Sequence, residues 1–361
     1  MSTPVSMFAL SGQAISCERY GSGHINDSYR VETDEGYVYI LQKINSHVFH
    51  EPQKLMENVT AIVRHLAKSQ TDSRRILTLI PAMDGKAFYV DAEGEYWRVY
   101  QFISGGVCLE KVETAEDFFQ SALAFGDFQN RLADFPAETL FETIPNFHDT
   151  PKRYEALHCA IQAASQSRVA AAAREITFVL ERETQASAMM TLLEEGKLPL
   201  RVTHNDTKLN NVILDQKTRK ALCVLDLDTV MPGLAANDFG DAIRFGASTA
   251  AEDEQELEKV QFSFELYQRY LEGFLTACGD RLTDLELQTL PLGAKLITLE
   301  CGVRFLTDYL SGDAYFHISR PGQNLDRCRT QCKLVVEMER MWQPMTEAVT
   351  QAGERLLNRQ L

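Results

Sequence analysis

The dominant hydrophobic period shifts from strand to helix at Ser104-Gly105-Gly106, and that shift constrains the fold strongly. Before it, apolar residues alternate. The stretch SYRVETDEGYVYILQKI (28–44) holds two alternating runs around Asp34-Glu35-Gly36, and KAFYVDAEGEYWRVYQFI (86–103) repeats the device around Ala92-Glu93-Gly94. Alternation sends successive side chains to opposite faces, and a glycine-containing turn between two such runs marks a β-hairpin. Between them, Leu55, Val59, Ile62, Val63 and Leu66 recur at helical spacing within 51–69. The order is hairpin, helix, strand, hairpin. After the glycine pair, helical spacing dominates: 113–134, 151–194 with a break, 254–278, 283–310 and 325–357. Only 202–230 interrupts it, where VILD and ALCVLD read as a hairpin. The expectation is an α+β protein of two lobes. An antiparallel-sheet lobe with one helix spans 1–103, a large, mainly helical lobe spans 104–361, and the glycine pair is the hinge.

Composition narrows the partners. The 36 Lys and Arg against 51 Asp and Glu give a net charge of −15, which lacks the basic footprint that nucleic acid or an anionic membrane requires. The eight cysteines are dispersed with no C-x-x-C pair; Cys328 and Cys332, four apart, share a helical face. Reduced, buried thiols in a cytoplasmic protein are expected, with little support for a zinc site. The N-terminus MSTPVSMFALSGQA has neither a basic region nor an apolar run long enough for a signal peptide, and no stretch is apolar enough to span a membrane. The sequence leaves the oligomeric state open.

The richest local chemistry is HNDTKLNN (204–211), which runs directly into VILD. Moving a phosphoryl group from ATP needs a carboxylate at the acceptor hydroxyl, oxygen ligands for the Mg²⁺ that bridges the phosphates, a cation on the transferred group and a cover over the triphosphate. Asp206 is the candidate base. Asn211, at the exit of the loop, offers an amide oxygen to the metal, and Lys208 offers the cation. Asp226, at the end of the apolar run ALCVL, is a second hard ligand. Asp228 follows two residues later and points the same way if 226–228 stays extended, either as a further ligand or as a hydrogen-bond acceptor behind one.

The register His-x-Asp-x-Lys-x-x-Asn resembles the catalytic loop of the protein-kinase-like superfamily. With LDLDTVMPG and NDFGDAIRFG, and YGSGHINDSYRV at the front, the chain is similar over nearly its whole length to the aminoglycoside and choline phosphotransferase branch, in particular to bacterial N-acetylhexosamine 1-kinases. The resemblance implies a bilobal kinase fold, ATP and Mg²⁺ as cofactors, and phosphorylation of the anomeric hydroxyl of N-acetylglucosamine or N-acetylgalactosamine. It gives Asp206 the base position, Asp226 the metal position, and Asp241 the task of bracing the catalytic loop. His204 becomes a loop brace rather than a proton carrier. In the front lobe it implies that Gly21 and Gly23 cover the phosphates. Lys43 binds a phosphate, with Glu57 as partner and Glu51 as the competitor, and the backbone of Gln101, Phe102 and Ile103 meets adenine. Asp226 is followed by Leu-Asp rather than Phe-Gly and no Ala-Pro-Glu segment follows, which favours a small-molecule acceptor over a protein.

The acceptor site is sought in ECGVRFLTDYLSGDAYFHISRPGQ (300–323). Arg304 and Asp308, four apart, can pair with each other or with sugar hydroxyls. Tyr309, Tyr315 and Phe316 can stack on a pyranose, and Arg244 in DAIRFG can face phosphate or sugar or cap a helix. Two alternatives stand beside the sugar reading. One is a kinase of methylthioribose, choline, homoserine or an aminoglycoside; a cationic acceptor would want an acidic pocket. The other is a pseudokinase that binds nucleotide without transfer.

Overall fold

The computed structural model describes residues 4–21, 25–70 and 72–359. The front of the chain forms one antiparallel sheet. Its strands are β1 (Ala14–Arg19), β2 (Asp27–Thr33), β3 (Val38–Lys43), β4 (Leu79–Ile80), β5 (Tyr89–Val90) and β6 (Tyr96–Gln101), in the order β1-β2-β3-β6-β4, with β5 also on β6. Helix α1 (Pro52–Ala67) packs on one face through Leu55, Val59 and Ile62, all buried. The other face carries a separate cluster of Val5, Phe8, Tyr39, Leu41, Trp97 and Val99. Both hairpins lie where alternation placed them, because each turn has a glycine free to take positive φ, +83° at Gly36 and at Gly94.

At the glycine pair, Gly105 turns with φ +71°. Gly106 opens β7 (Gly106–Val107), which joins a three-stranded sheet with β9 (Val212–Asp215) and β10 (Ala221–Val224) of the second lobe. A β-carbon on Gly106 would sit 2.1 Å from Ile213, so this residue is held in a ladder rather than acting as a hinge.

The helical lobe contains α2 (Ala115–Arg131), α3 (Thr150–Ala163), α4 (Gln166–Ala171), α5 (Ala173–Leu180), α6 (Ala188–Glu194), β8 (Arg201–Thr203), β11 (Met231–Gly233), α7 (Ala235–Gly246), α8 (Phe264–Cys278), α9 (Asp284–Leu310), α10 (Gln323–Arg340) and α11 (Trp342–Arg359). The helical pattern over 151–194 is four short helices. The 254–278 pattern is a 3₁₀ turn, Leu257–Lys259, and then an α-helix only from Phe264, after Ser248 and Phe262 form a bridge, and 325–357 is two helices broken at Met341. Helices α2 and α9 start at capping boxes, Thr114 with Asp117 and Thr283 with Glu286. Helices α7 and α9 cross with their backbones in contact: a β-carbon on Gly240 would meet the Gly293 carbonyl oxygen at 2.6 Å, and one on Gly293 the Ala236 carbonyl oxygen at 2.2 Å. This crossing sets α7 directly behind the loop that follows β8. All eight cysteines are free thiols; Cys328 and Cys332 are buried with sulfurs 3.8 Å apart. Among the described residues no helix is long and apolar enough to cross a membrane.

Candidate active site

The loop 204–211 leaves β8, which pairs with β11, and enters β9. Its first turn is tight because Asn205 takes φ +63°, a region that asparagine tolerates better than most residues. The Asn205 side chain fixes that turn, donating to the Thr203 and Thr229 carbonyls at 3.2 and 2.9 Å and accepting from the Thr203 hydroxyl at 2.9 Å. Two carboxylates from α7 hold the loop from behind. Asp238, fully buried, accepts the backbone N–H groups of His204 and Asn205 at 2.9 and 2.7 Å. Asp241 accepts the N–H of Thr207 at 2.9 Å. The bracing that the sequence assigned to Asp241 is therefore shared, and Asp238 carries the larger part. The two lie three apart in NDFGD, on one helical face, which is the signal that a periodicity argument would have used.

His204 is buried between Phe125 and Phe128. Its Nε2 donates to the Leu225 carbonyl at 2.7 Å, and its Nδ1 accepts the Asp206 N–H at 3.3 Å. With both nitrogens engaged, the ring ties the loop to the end of β10. Asp206 faces the interlobe cleft. Lys208 Nζ lies 2.8 Å from one of its oxygens, and Asn211 Nδ2 donates to the other at 2.9 Å and to the Asp206 carbonyl at 2.8 Å. Burial works against the Asp206 charge, but the Lys208 ammonium and these bonds outweigh it and hold the carboxyl below the usual range. Asp206 in turn raises Lys208 against its own burial.

Asp226 adopts a left-handed conformation, φ 54° and ψ 64°, just past β10. The Leu225 N–H donates to the Asn211 carbonyl at 2.8 Å, so Asn211 and Asp226 emerge from adjoining ladder ends. The Asp226 side chain stays open to solvent in the cleft although protein crowds round it. That crowding, together with the carboxylates of Asp228 and Asp206, pushes it up to about 7. The Asp226 carboxylate and Asn211 amide oxygen are hard donors of the kind a divalent cation takes. No group of three or more His, Cys, Asp or Glu that could hold a metal occurs among the described residues. Two protein oxygens supplemented by phosphate oxygens is the donor set that Mg²⁺ takes with a nucleotide.

Asp228 does not join them. The left-handed residue and the 3₁₀ turn Leu227–Thr229 end the extended path, and Asp228 points to the sheet lobe instead. There its oxygens receive Arg98 Nη1 and Nη2 at 2.5 and 2.9 Å and Asn26 Nδ2 at 2.6 Å, with Arg98 and Asp228 both almost fully buried. Both oxygens are engaged, so the direct-ligand reading of Asp228 gives way to an interlobe ion pair.

Lys43 is also displaced from its expected part. On β3 it shares a face with Tyr39 and Leu41, opposite Trp97, so its ammonium meets Glu95 at 2.7 Å on the side away from the cleft. The Glu95 hydrogen bond raises its pKa. Glu57 lies exposed on α1, hydrogen-bonded by Gln53 at 3.3 Å, and Glu51 pairs with Lys54. The residues of β3 and β6 that do face the cleft are Gln42 and Arg98, joined at 3.0 Å. Their register sets them on the face opposite Lys43 and Trp97.

Gly21 has φ +82° with no neighbour near a built β-carbon, while Gly23 lies outside the described residues. At the join between lobes, the N–H groups of Gln101 and Phe102 already donate to the Thr78 and Val38 carbonyls, so they are not available to adenine. The Ile103 N–H has no hydrogen-bond partner among the described residues. The Phe102 ring meets Tyr20 edge-on, 6.1 Å between centroids, beside the glycine turn.

In the helical lobe, Arg304 on α9 lies over the rings of Phe147 and Phe316 at 4.8 and 5.5 Å, with no hydrogen-bond or ion-pair partner among the described residues. Phe147 continues into His148, whose Nε2 is 3.4 Å from the Asn205 carbonyl, which places this wall beside the 204–211 loop. His148 Nδ1 and the Thr150 hydroxyl take the two oxygens of buried Glu300, at 2.9 and 2.7 Å. Arg153 donates to the Phe147 carbonyl, and burial together with the Arg304 charge lowers its pKa. Tyr315 is 56% exposed, edge-on to Phe316. Asp308 is engaged within the protein. Its carboxylate accepts the N–H groups of Ala314, Tyr315 and Phe316 and the Asn324 amide, and so shapes the 313–316 turn. Arg244 is likewise engaged, by Asp241 at 2.9 Å and Glu252 at 2.6 Å.

Residues 16–272 match the phosphotransferase enzyme family, and the chain belongs to that family. Its fold is that of solved kinases at low identity. A microcompartment-associated aminopropanol kinase aligns at TM-score 0.60 and 17% identity over 95% of this chain and 97% of its own. An aminoglycoside phosphotransferase from Alicyclobacillus acidocaldarius aligns at 0.62 and 13%, over 96% and 95%. The amicoumacin kinase hAmiN, solved with AMP-PNP, Ca²⁺ and Ami, aligns at 0.59 and 15%, over 91% of each chain.

Proposed function

We propose that this protein is an ATP- and Mg²⁺-dependent small-molecule kinase that phosphorylates the anomeric hydroxyl of an N-acetylhexosamine. Support for the transfer comes from Asp206, Lys208, Asn211 and Asp226 converging on one cleft, with the loop held by Asp238, Asp241 and His204. The acceptor hydroxyl binds against Asp206, which orients it and takes its proton late, since a loose transition state asks little of a base early on. An anomeric hydroxyl is the most acidic on a sugar, which lessens that demand further. Lys208, now paired with Asp206, would offer its ammonium to the transferred phosphoryl group, and Asn211 and Asp226 would hold Mg²⁺, which would supply charge neutralisation there.

The observation that carries the choice of acceptor is Arg304. Two guanidinium groups, Arg304 and Arg153, border the wall beside the 204–211 loop, and its buried carboxylates Glu300 and Asp308 are already engaged. Such a wall repels an ammonium. It suits a neutral polyol, with aromatic rings at Phe147, Tyr315 and Phe316 to cover a pyranose face. The aminopropanol kinase among the structural neighbours is named for an amine-bearing acceptor, and the acidic pocket such an acceptor needs is not what this wall offers. An ADP-release panel of N-acetylglucosamine, N-acetylgalactosamine, methylthioribose, homoserine, choline, aminopropanol and an aminoglycoside tests the choice. Turnover confined to the hexosamines is expected; turnover of an amino alcohol with neither hexosamine used would reject it.

A further inference from the structure

Behind the catalytic cleft, between the two lobes, lies a cavity of about 660 Å³ that contains none of the residues discussed above as base, cation or metal ligand. It is bounded by α1, the segment 72–77, α2 and the β9–β10 hairpin. That volume falls within the range of small-molecule sites. Its floor is apolar, formed by Leu66, Leu77, Phe128 and Leu222. Its rim is basic. Arg74, Arg75, Arg131 and Lys220 line it against Asp72, Asp127 and Asp215, four cations to three carboxylates on a chain whose net charge is −15.

The pairing within the rim is uneven. Arg74 is shared between Asp72 and Asp215, and Arg131 donates to the Leu66 carbonyl and approaches Asp127 at 3.9 Å. The Arg75 guanidinium and the Lys220 ammonium have neither a hydrogen bond nor an ion pair among the described residues, and both residues are exposed. An apolar floor beneath two uncommitted cations matches a ligand with an apolar or aromatic body at one end and an anionic group at the other.

We propose that this interlobe cavity is a second binding site, separate from the catalytic cleft, for a small amphipathic anion such as an aryl or alkyl phosphate, sulfonate or carboxylate. Its apolar body lies on Leu66, Leu77, Phe128 and Leu222, and its charge is held by Arg75 and Lys220. The proposal goes beyond the kinase reading and does not depend on the acceptor.

The test uses anilinonaphthalenesulfonate, an amphipathic anion whose fluorescence rises in apolar surroundings, titrated into the whole protein with saturating AMP-PNP and Mg²⁺ so that the catalytic cleft is filled. One-to-one binding is expected, weakened roughly tenfold by Arg75→Glu with Lys220→Glu, the size of losing charge-assisted contacts. AMP-PNP affinity checks that the variant is folded; if the double variant fails that check, Lys220→Gln alone is held to the same criterion at about threefold. Absence of binding, displacement of the probe by AMP-PNP, or equal affinity in wild type and variant would overturn the proposal.

Discussion

Lys43 and Arg98 stand on neighbouring strands yet face opposite sides of one sheet, and their positions lead to opposite expectations. The Lys43–Glu95 pair is about a third exposed on both sides, so it contributes about 0–1 kcal/mol. Lys43→Met should change kcat/KM by less than about threefold, measured by coupled ADP release. The Arg98 guanidinium is buried against Asp228, and its removal strands a charge in the interior. Arg98→Met should cost about 3–5 kcal/mol in denaturant unfolding. Equal costs for the two variants would contradict the assignment of Arg98 rather than Lys43 to the cleft. Asp206→Asn should keep AMP-PNP affinity while turnover falls by about 10²–10⁴. Asp308→Ala should raise the acceptor KM about tenfold and leave the ATP KM unchanged, because it loosens the turn that carries Tyr315 and Phe316.

At the scale of elements, the sheet lobe and the catalytic hairpin were legible because period and turn residues speak locally: Gly36 and Gly94 mark turns whatever packs on them. The loop was legible from spacing, since Asp206, Lys208 and Asn211 sit within six residues. What escaped depends on long-range packing. Strand parity turns Lys43 outward, and nothing within YILQKI announces which face α1 will cover. The left-handed Asp226 redirects Asp228, a backbone choice that LDLDT does not advertise. Arg244 and Asp308 look like binding groups by residue type, and only their partners Glu252, Ala314 and Phe316 show them committed. The α7–α9 crossing belongs to the same class, because two glycines far apart in sequence admit each other's backbones. Gly293→Ala should destabilise by about 1–3 kcal/mol through overpacking, and should lower turnover as well by shifting Asp238 and Asp241. Unfolding and rate measurements on the same variant check both.

Across the whole molecule the two lobes are joined by buried polar contacts rather than by the linker alone. Asn58 on α1 donates to the Phe141 and Val230 carbonyls and accepts the Phe141 N–H, and Arg98 reaches Asp228. The residues proposed for transfer, Asp206, Lys208, Asn211 and Asp226, belong to the helical lobe, and these ties join the sheet lobe to it. The proposed reaction is phosphoryl transfer to a neutral sugar at its anomeric oxygen. Phosphorus NMR of the protein incubated with ATP, MgCl₂ and N-acetylglucosamine or N-acetylgalactosamine tests it most directly, with the Asp206→Asn variant run alongside. A phosphate signal coupled to the anomeric proton of at least one of the two sugars is expected, growing with the wild-type protein and absent with the variant. No sugar phosphate from either, or a phosphate on another hydroxyl, would contradict it.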